Sequence, residues 1–214
     1  MSAPKTIALF CADDWRSACL MLRVLGPARE LGWQVLQGSR WQAKQLVEFS
    51  PQIVDDADLV IIQRDFPRYA SAYETVMARA GATRKPVIYE IDDLLFELPL
   101  EHPVRAYYHA ARLPMLRAAL EATAIVVTSR GLADYLGPFN SRLWVVPNYL
   151  DDRLWPLVQP PEPNGEPVVL GYMGGFTHAP DVALVEPILL HCLDTYGERI
   201  RLKFWSLAMP PASS

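Results

Sequence analysis

Six short apolar runs, separated by helix-like stretches, constrain this chain more than any other feature: residues 6–11, 33–38, 57–63, 86–91, 124–128 and 143–146. Most are continuously apolar instead of alternating, as expected of strands covered on both faces in a parallel sheet. Between them lie helical patterns. Residues 15–31 place Ala18, Leu22, Leu25 and Leu31 near one face, with Gly26-Pro27 expected to kink or divide the helix because proline removes a backbone donor. Residues 69–80 read as a helix ended by Gly81, and residues 104–122 as one long amphipathic helix. Ser129 stands where a cap should open the helix after the fifth run. The alternation predicts an α/β fold with a Rossmann-like parallel sheet.

That first domain is expected to span residues 1–155. Pro156, Pro160, Pro161, Pro163 and Pro167, with Asn164-Gly165, then mark an exposed linker over 156–167. A second β-α-β pattern begins at 168–173, turns at a glycine pair, continues as a helix over 181–195 and returns as a strand over 201–205. Residues 168–214 are too few for a second domain of ~100 or more residues, so they read as an incomplete domain. The tail 209–214 carries no packing pattern.

Composition narrows the class. A net charge of -4 and no Lys/Arg cluster give no electrostatic footprint for nucleic acid. Cys11, Cys19 and Cys192 lack CxxC spacing, which points to reduced, buried thiols in a cytosolic protein. The N-terminal apolar run is too short for a secretion signal or a membrane span. The expected location is therefore cytoplasmic, with peripheral membrane contact left open.

Two clusters carry the candidate chemistry. Gly174-Gly175 follows a strand and precedes a helix, where bare backbone can approach a phosphate or adopt positive φ. The turn is neither a Walker loop nor a GxGxxG fingerprint. Phe176 completes the turn, and His178 is placed to hydrogen-bond a phosphate or hydroxyl. The second cluster is Tyr89-Glu90-Ile91-Asp92-Asp93, at the carboxyl end of a parallel strand, where open α/β sheets bind ligands. Glu90 and Asp92, two apart, are expected on one side, able to hold a divalent cation, bond sugar hydroxyls or act as a base. Asp13-Asp14, after the first strand, either line the same cleft or cap the next helix. Asp55, Asp56, Asp58, Asp151 and Asp152 read as solvated turns, and His102, His109 and His191 as residues without a role.

In order along the chain these segments resemble family 4-like glycosyltransferases of the GT-B fold. Val145-Val146-Pro147-Asn148-Tyr149-Leu150-Asp151 is similar to their interdomain Pro-Asn-x-x-Asp junction. Leu170-Gly171-Tyr172-Met173-Gly174-Gly175-Phe176-Thr177-His178 resembles the first strand and glycine loop of their donor domain. Ile125-Val126-Val127-Thr128-Ser129 resembles a strand of their first domain, and Tyr89-Glu90-Ile91-Asp92-Asp93 an acceptor-side motif.

The resemblance implies two Rossmann-like domains, a nucleotide-diphosphate sugar donor, a glycan or lipid-linked acceptor, and retaining transfer without an essential metal or other cofactor. Gly174, Gly175, Phe176 and His178 would then lie on the donor side. Glu90, Asp92, Asp93 and Asp13 would lie on the acceptor side, with Asp92 the catalytic candidate. The chain departs from the family in carrying Cys11-Ala12-Asp13-Asp14 where glycines often follow the first strand. It also ends before the basic residues and paired glutamates that complete a donor site, and Lys203 is no substitute, so turnover by this chain alone is not expected. Two other readings stay open: a non-catalytic α/β module binding a glycan or partner chain, and a metal-dependent transferase using Glu90 and Asp92.

Overall fold

A computed structural model describes residues 5–42, 45–153, 155–159 and 165–205. The chain divides into two compact units, one of residues 1–100 and 105–155, the other of 101–104 and 156–214.

In the first unit, β1 (Thr6–Phe10) leads into a helical segment made of α1 (Ala18–Leu20), a π-helical turn (Met21–Leu25) and α2 (Gly26–Glu30). The division falls where Gly26-Pro27 predicts it. The Gly26 amide bonds to the Met21 carbonyl, and a Cβ at Gly26 would stand 2.8 Å from that oxygen. Glycine is therefore what lets the wide turn close ahead of Pro27.

After β2 (Gln34–Gln37) comes an antiparallel hairpin of β3 (Ser39–Gln42) and β4 (Gln45–Phe49), then α3 (Ile53–Asp56) and β5 (Leu59–Gln63). Helix α4 (Ala70–Thr83) runs through Gly81 and ends at Arg84, which takes the left-handed conformation at φ 54°. The expected stop at Gly81 is thus corrected, because Arg84 supplies the αL cap.

Strand β6 (Val87–Ile91) is followed by α5 (Arg105–His109) and α6 (Arg112–Glu121), not by one long helix. Pro114 lacks a backbone donor, so it fits the first turn of a new helix but not the middle of an old one. Next come β7 (Ala124–Val127), α7 (Arg130–Leu136) and β8 (Leu143–Val145). Ser129 caps α7, its hydroxyl accepting from the Leu132 amide at 3.3 Å.

The six strands form one parallel sheet in the order β2-β1-β5-β6-β7-β8, a Rossmann-like arrangement. Alternation along β1 sends Ala8 and Phe10 into one core and Ile7, Leu9 and Cys11 into the other. The first core also holds Tyr73, Met115 and Leu132 from the helices, while Leu20, Val24 and Ala28 close the second. Chain order reverses between β1 and β5, and loops leaving the carboxyl ends of strands at such a point make the ligand crevice of open α/β sheets.

The second unit is a β-α-β unit: β9 (Val168–Met173), a short 3-10 turn, α8 (Ala179–Tyr196) and β10 (Ile200–Trp205), the strands parallel and in register from Val168–Ile200 to Met173–Trp205. Linker residues 160–164, the tail 209–214 and the Phe176 side chain lie outside the described residues. No helix among the described residues is long and apolar enough to cross a membrane.

Candidate functional site

The residues after β5 decide the chemistry of the crevice. Arg64 occupies the left-handed region at φ 50°, a conformation disfavoured for a residue with a bulky side chain. Its backbone is held from both directions: its amide donates to the Glu90 carbonyl at 2.9 Å, and its carbonyl accepts from the Tyr89 hydroxyl at 2.8 Å. The resulting direction carries the guanidinium, 13% exposed, into the mouth between β1, β5 and β6.

There Arg64 meets Asp92 at 3.5 Å, Asp93 at 3.7 Å and Asp13 at 4.0 Å. It also donates to the Cys19 sulfur at 3.0 Å and the Tyr108 hydroxyl at 3.2 Å. Charge-assisted contacts close at about 2.7–2.9 Å, so one guanidinium is shared among carboxylates without tight closure onto any of them. The Asp92 side chain is 7% exposed, and its Oδ1 has no hydrogen-bond partner among the described residues. The Arg64 Nε is likewise buried and unpartnered among them. The Asp92 backbone is fixed, its carbonyl accepting from the Thr128 hydroxyl at 2.7 Å.

Glu90 does different work. Its side chain and that of Arg23 are each 3% exposed, and Oε1 accepts from Arg23 Nε at 2.7 Å while Oε2 accepts from Gln63 at 2.9 Å. Arg23 also donates to the Val146 carbonyl and, at 3.1 Å, to Asn148. With both oxygens taken, Glu90 is a brace tying β6 to the π-helical turn and to the Pro147-Asn148 segment. Burial pushes its carboxyl pKa up, although Arg23 and Gln63 pull the other way. That occupancy removes one ligand from the metal reading of Glu90 and Asp92.

Asp13 lines the crevice. The helix cap is Ser17, whose hydroxyl accepts from the Leu20 amide at 3.2 Å, and Asp14 accepts from the Arg16 amide at 2.8 Å. Asp13 remains 34% exposed toward the mouth. Burial raises its pKa; Arg64 opposes this, while the charges of Asp65, Asp92 and Asp14 add to it. Burial, the nearby Asp92 charge and a hydrogen bond to the Asp92 side chain hold the Cys19 thiol near 12, so it is a neutral group between Arg64 and Asp92.

Of the other acidic residues read as solvated turns, Asp56 and Asp152 are exposed, while Asp55, Asp58 and Asp151 are also engaged. Asp55 pairs with Arg79, Asp58 accepts from the Thr6 amide at 2.8 Å, and Asp151 pairs with Arg153 at 2.7 Å. Of the thiols, Cys11 alone is buried; Cys19 and Cys192 are partly exposed, and all three are free.

The glycine turn is less open to a ligand than its sequence suggests. Neither glycine has positive φ; the positive-φ glycines are Gly32, Gly165 and Gly197. A Cβ at Gly174 would meet the Tyr172 hydroxyl at 2.6 Å, so packing within the unit accounts for that glycine. Gly175 faces open space, its nearest neighbour for a Cβ being Thr177 Oγ1 at 3.9 Å. The His178 ring pairs with Asp181 at 2.8 Å, placing a carboxylate in the first turn of α8.

A cavity of about 510 Å³ is lined by Met21, Arg23, Pro27, Val146, Tyr149 and Trp155 and does not include Asp13, Arg64, Asp92 or Asp93. Its rim charges neutralise one another through the Arg29–Asp151, Arg153–Asp151 and Arg153–Glu30 pairs. The buried side-chain atoms without a partner among the described residues are Asp92 Oδ1 and Arg64 Nε in the crevice, together with Trp33 Nε1, Gln63 Oε1 and Arg68 Nε.

Arg64 in the crevice, and Arg23 and Gln63 against Glu90, are not marked by any motif in the sequence. Gln63 and Arg64 end a strand run beside the predicted carboxylates, and that adjacency was the available signal. No protein-family model matches the chain, and no curated protein sequence matches it.

Proposed function

We propose that this chain is glycosyltransferase-like, its first unit binding the hydroxyls of an acceptor glycan at the crevice around Arg64 and its second contributing to recognition of a nucleotide-diphosphate sugar. The observation that carries the reading is the switch-point cluster, in which a strained arginine is shared among Asp13, Asp92 and Asp93 at 3.5–4.0 Å. A sugar hydroxyl both donates and accepts, so it suits a site offering loosely engaged carboxylates and a guanidinium.

In this reading Asp92 receives the acceptor hydroxyl, Asp13 and Asp93 flank it, and Glu90 holds β6 in place. Gly175 and its neighbours Gly174, Phe176 and His178 form the donor side, where backbone amides would stabilise charge on the departing diphosphate. Retention of anomeric configuration and a lipid-linked acceptor follow from the resemblance, and a cytoplasmic location from the three cysteines without CxxC spacing.

A second reading, a glycan-binding module without transfer activity, is favoured by the donor side itself. Tyr172 accounts for Gly174, and Asp181 engages His178. Thermal stabilisation separates the two. A ligand at 100 times its Kd adds about 2.7 kcal/mol. Stabilisation by both nucleotide-diphosphate sugars and glycans supports the transferase, whereas stabilisation by glycans alone supports the binding module. Stabilisation by neither overturns both.

A further inference from the structure

We infer that the crevice around Arg64 selects an acceptor carrying a protonated amine, such as an amino sugar, over neutral or anionic glycans. The inference rests on the glycan reading above and names the substrate class of that same site.

Asp13 and Asp92 alone outnumber the single guanidinium between them, and Asp93 stands 3.7 Å from it on the exposed side. Neighbouring polar groups do not restore the balance. Cys19 is a neutral thiol, and the nearby Asp65 is already engaged by Arg68 at 3.4 Å and the Tyr107 hydroxyl at 2.9 Å. The crevice therefore carries excess negative charge behind low-dielectric walls, which concentrates cations and repels anions.

A second observation points to a missing donor. The Asp92 side chain, 7% exposed, is met by the shared Arg64 at 3.5 Å and by the weak thiol donor of Cys19, yet its Oδ1 has no hydrogen-bond partner among the described residues. The contrast with Glu90 is direct: that carboxylate, equally buried, has both oxygens filled at 2.7 and 2.9 Å. Buried carboxylate oxygens in folded proteins are normally satisfied, and one that is not calls for a donor from outside the chain or for a catalytic role. An ammonium offers three donors and no acceptor, which matches carboxylates in excess. A hydroxyl satisfies the geometry but leaves the charge. A glycan linked through a diphosphate, or one bearing uronates, adds to the repulsion.

The divalent-ion alternative fits poorly. Glu90 is taken by Arg23 and Gln63, and a guanidinium already occupies the centre of the cluster. Among the described residues no group of three or more His, Cys, Asp or Glu side chains is arranged to hold a metal.

The test is calorimetric titration of the full chain with three tetrasaccharides of matched length, built from glucosamine, N-acetylglucosamine and glucuronate, at a pH where the free amine is protonated. A charged hydrogen bond contributes about 1.5–3 kcal/mol. The amine form should accordingly bind about tenfold or more tightly than the acetamide, and the uronate weakest. In Asp92→Asn and in the more exposed Asp13→Asn, the gap between amine and acetamide should shrink while acetamide binding persists. Equal binding of amine and acetamide, or tightest binding of the uronate, overturns the inference and leaves the glycan reading standing. An amine preference unchanged in both variants also overturns it, by placing the cation elsewhere. Binding of none of the three removes the glycan reading itself, and the inference with it.

Discussion

Arg23 and Glu90 meet at 2.7 Å with each side chain only 3% exposed, sixty-seven positions apart in sequence. The pair joins the π-helical turn to β6, and Arg23 extends the tie to Val146 and Asn148. Burial pushes the Glu90 carboxyl pKa upward, while Arg23 and Gln63 pull it down. The pair's contribution is positional: it fixes the strand end from which Asp92 and Asp93 emerge.

Removing one partner should be far worse than replacing both. Arg23→Ala leaves a buried carboxylate uncompensated, at an expected cost of about 3–5 kcal/mol. A double replacement by apolar residues of similar volume should recover most of that loss. Chemical denaturation followed by tryptophan fluorescence checks this. A double variant as unstable as the single one would show that the pair itself holds the fold.

Asp13 predicts a pH dependence of definite sign. Its folded-state pKa lies above the ordinary value of 3.8. At low pH both folded and unfolded states hold the proton. As pH rises from the ordinary toward the raised value, the unfolded chain loses its proton first, and stability falls until the folded carboxyl ionises. Asp13→Asn removes that loss, so the variant should gain on the parent across this window and stay ahead at neutral pH. Melting temperatures taken in pH steps test it; a variant that falls behind as pH rises would reverse the sign. Combined with weaker glycan binding, the gain would mark Asp13 as a residue kept for function at a cost in stability.

The two glycines of the turn should separate cleanly. Gly174→Ala drives a Cβ against the Tyr172 hydroxyl, and a companion Tyr172→Ala should relieve the damage. Gly175→Ala meets nothing closer than 3.9 Å, so it should leave folding intact and affect only what a ligand requires. Circular dichroism and nucleotide-sugar binding, measured on both variants, distinguish these outcomes. Donor affinity unchanged in a folded Gly175→Val variant would remove Gly175 from the donor side.

Much of the fold was legible because its signals are local. Continuous apolar runs marked the six parallel strands, Gly26-Pro27 marked the break in the first helix, and Ser129 marked the cap of α7. The hairpin at Ser39–Phe49 escaped because its stability comes from outside its own sequence. Ser39 is locked to the Cys11 backbone, and Trp41 donates to the Cys11 carbonyl and packs 4.1 Å from the Tyr69 ring. The 104–122 helix broke because Pro114 cannot sit in its middle, a point that periodicity alone overrode.

In the candidate site, the carboxylates were visible as a run after a strand, but their partners were not. Arg64 reaches Asp92 only once parallel pairing sets β5 beside β6, and Arg23 reaches Glu90 from the π-helical turn that follows β1. The division of labour followed the partners: Glu90 closed into a brace, while Asp92 stayed unsatisfied.

The proposed saccharide site is the crevice around Arg64, with Asp92 as its central contact. Backbone amide chemical shifts, followed during titration with an amine-bearing oligosaccharide, test it most directly. Shifts centred on Asp13, Arg64 and Asp92, with affinity reduced about tenfold or more in a folded Asp92→Asn variant, are the predicted result. Shifts confined to the groove between Met21–Glu30 and Val146–Trp155, or affinity unchanged in Asp92→Asn, would contradict it.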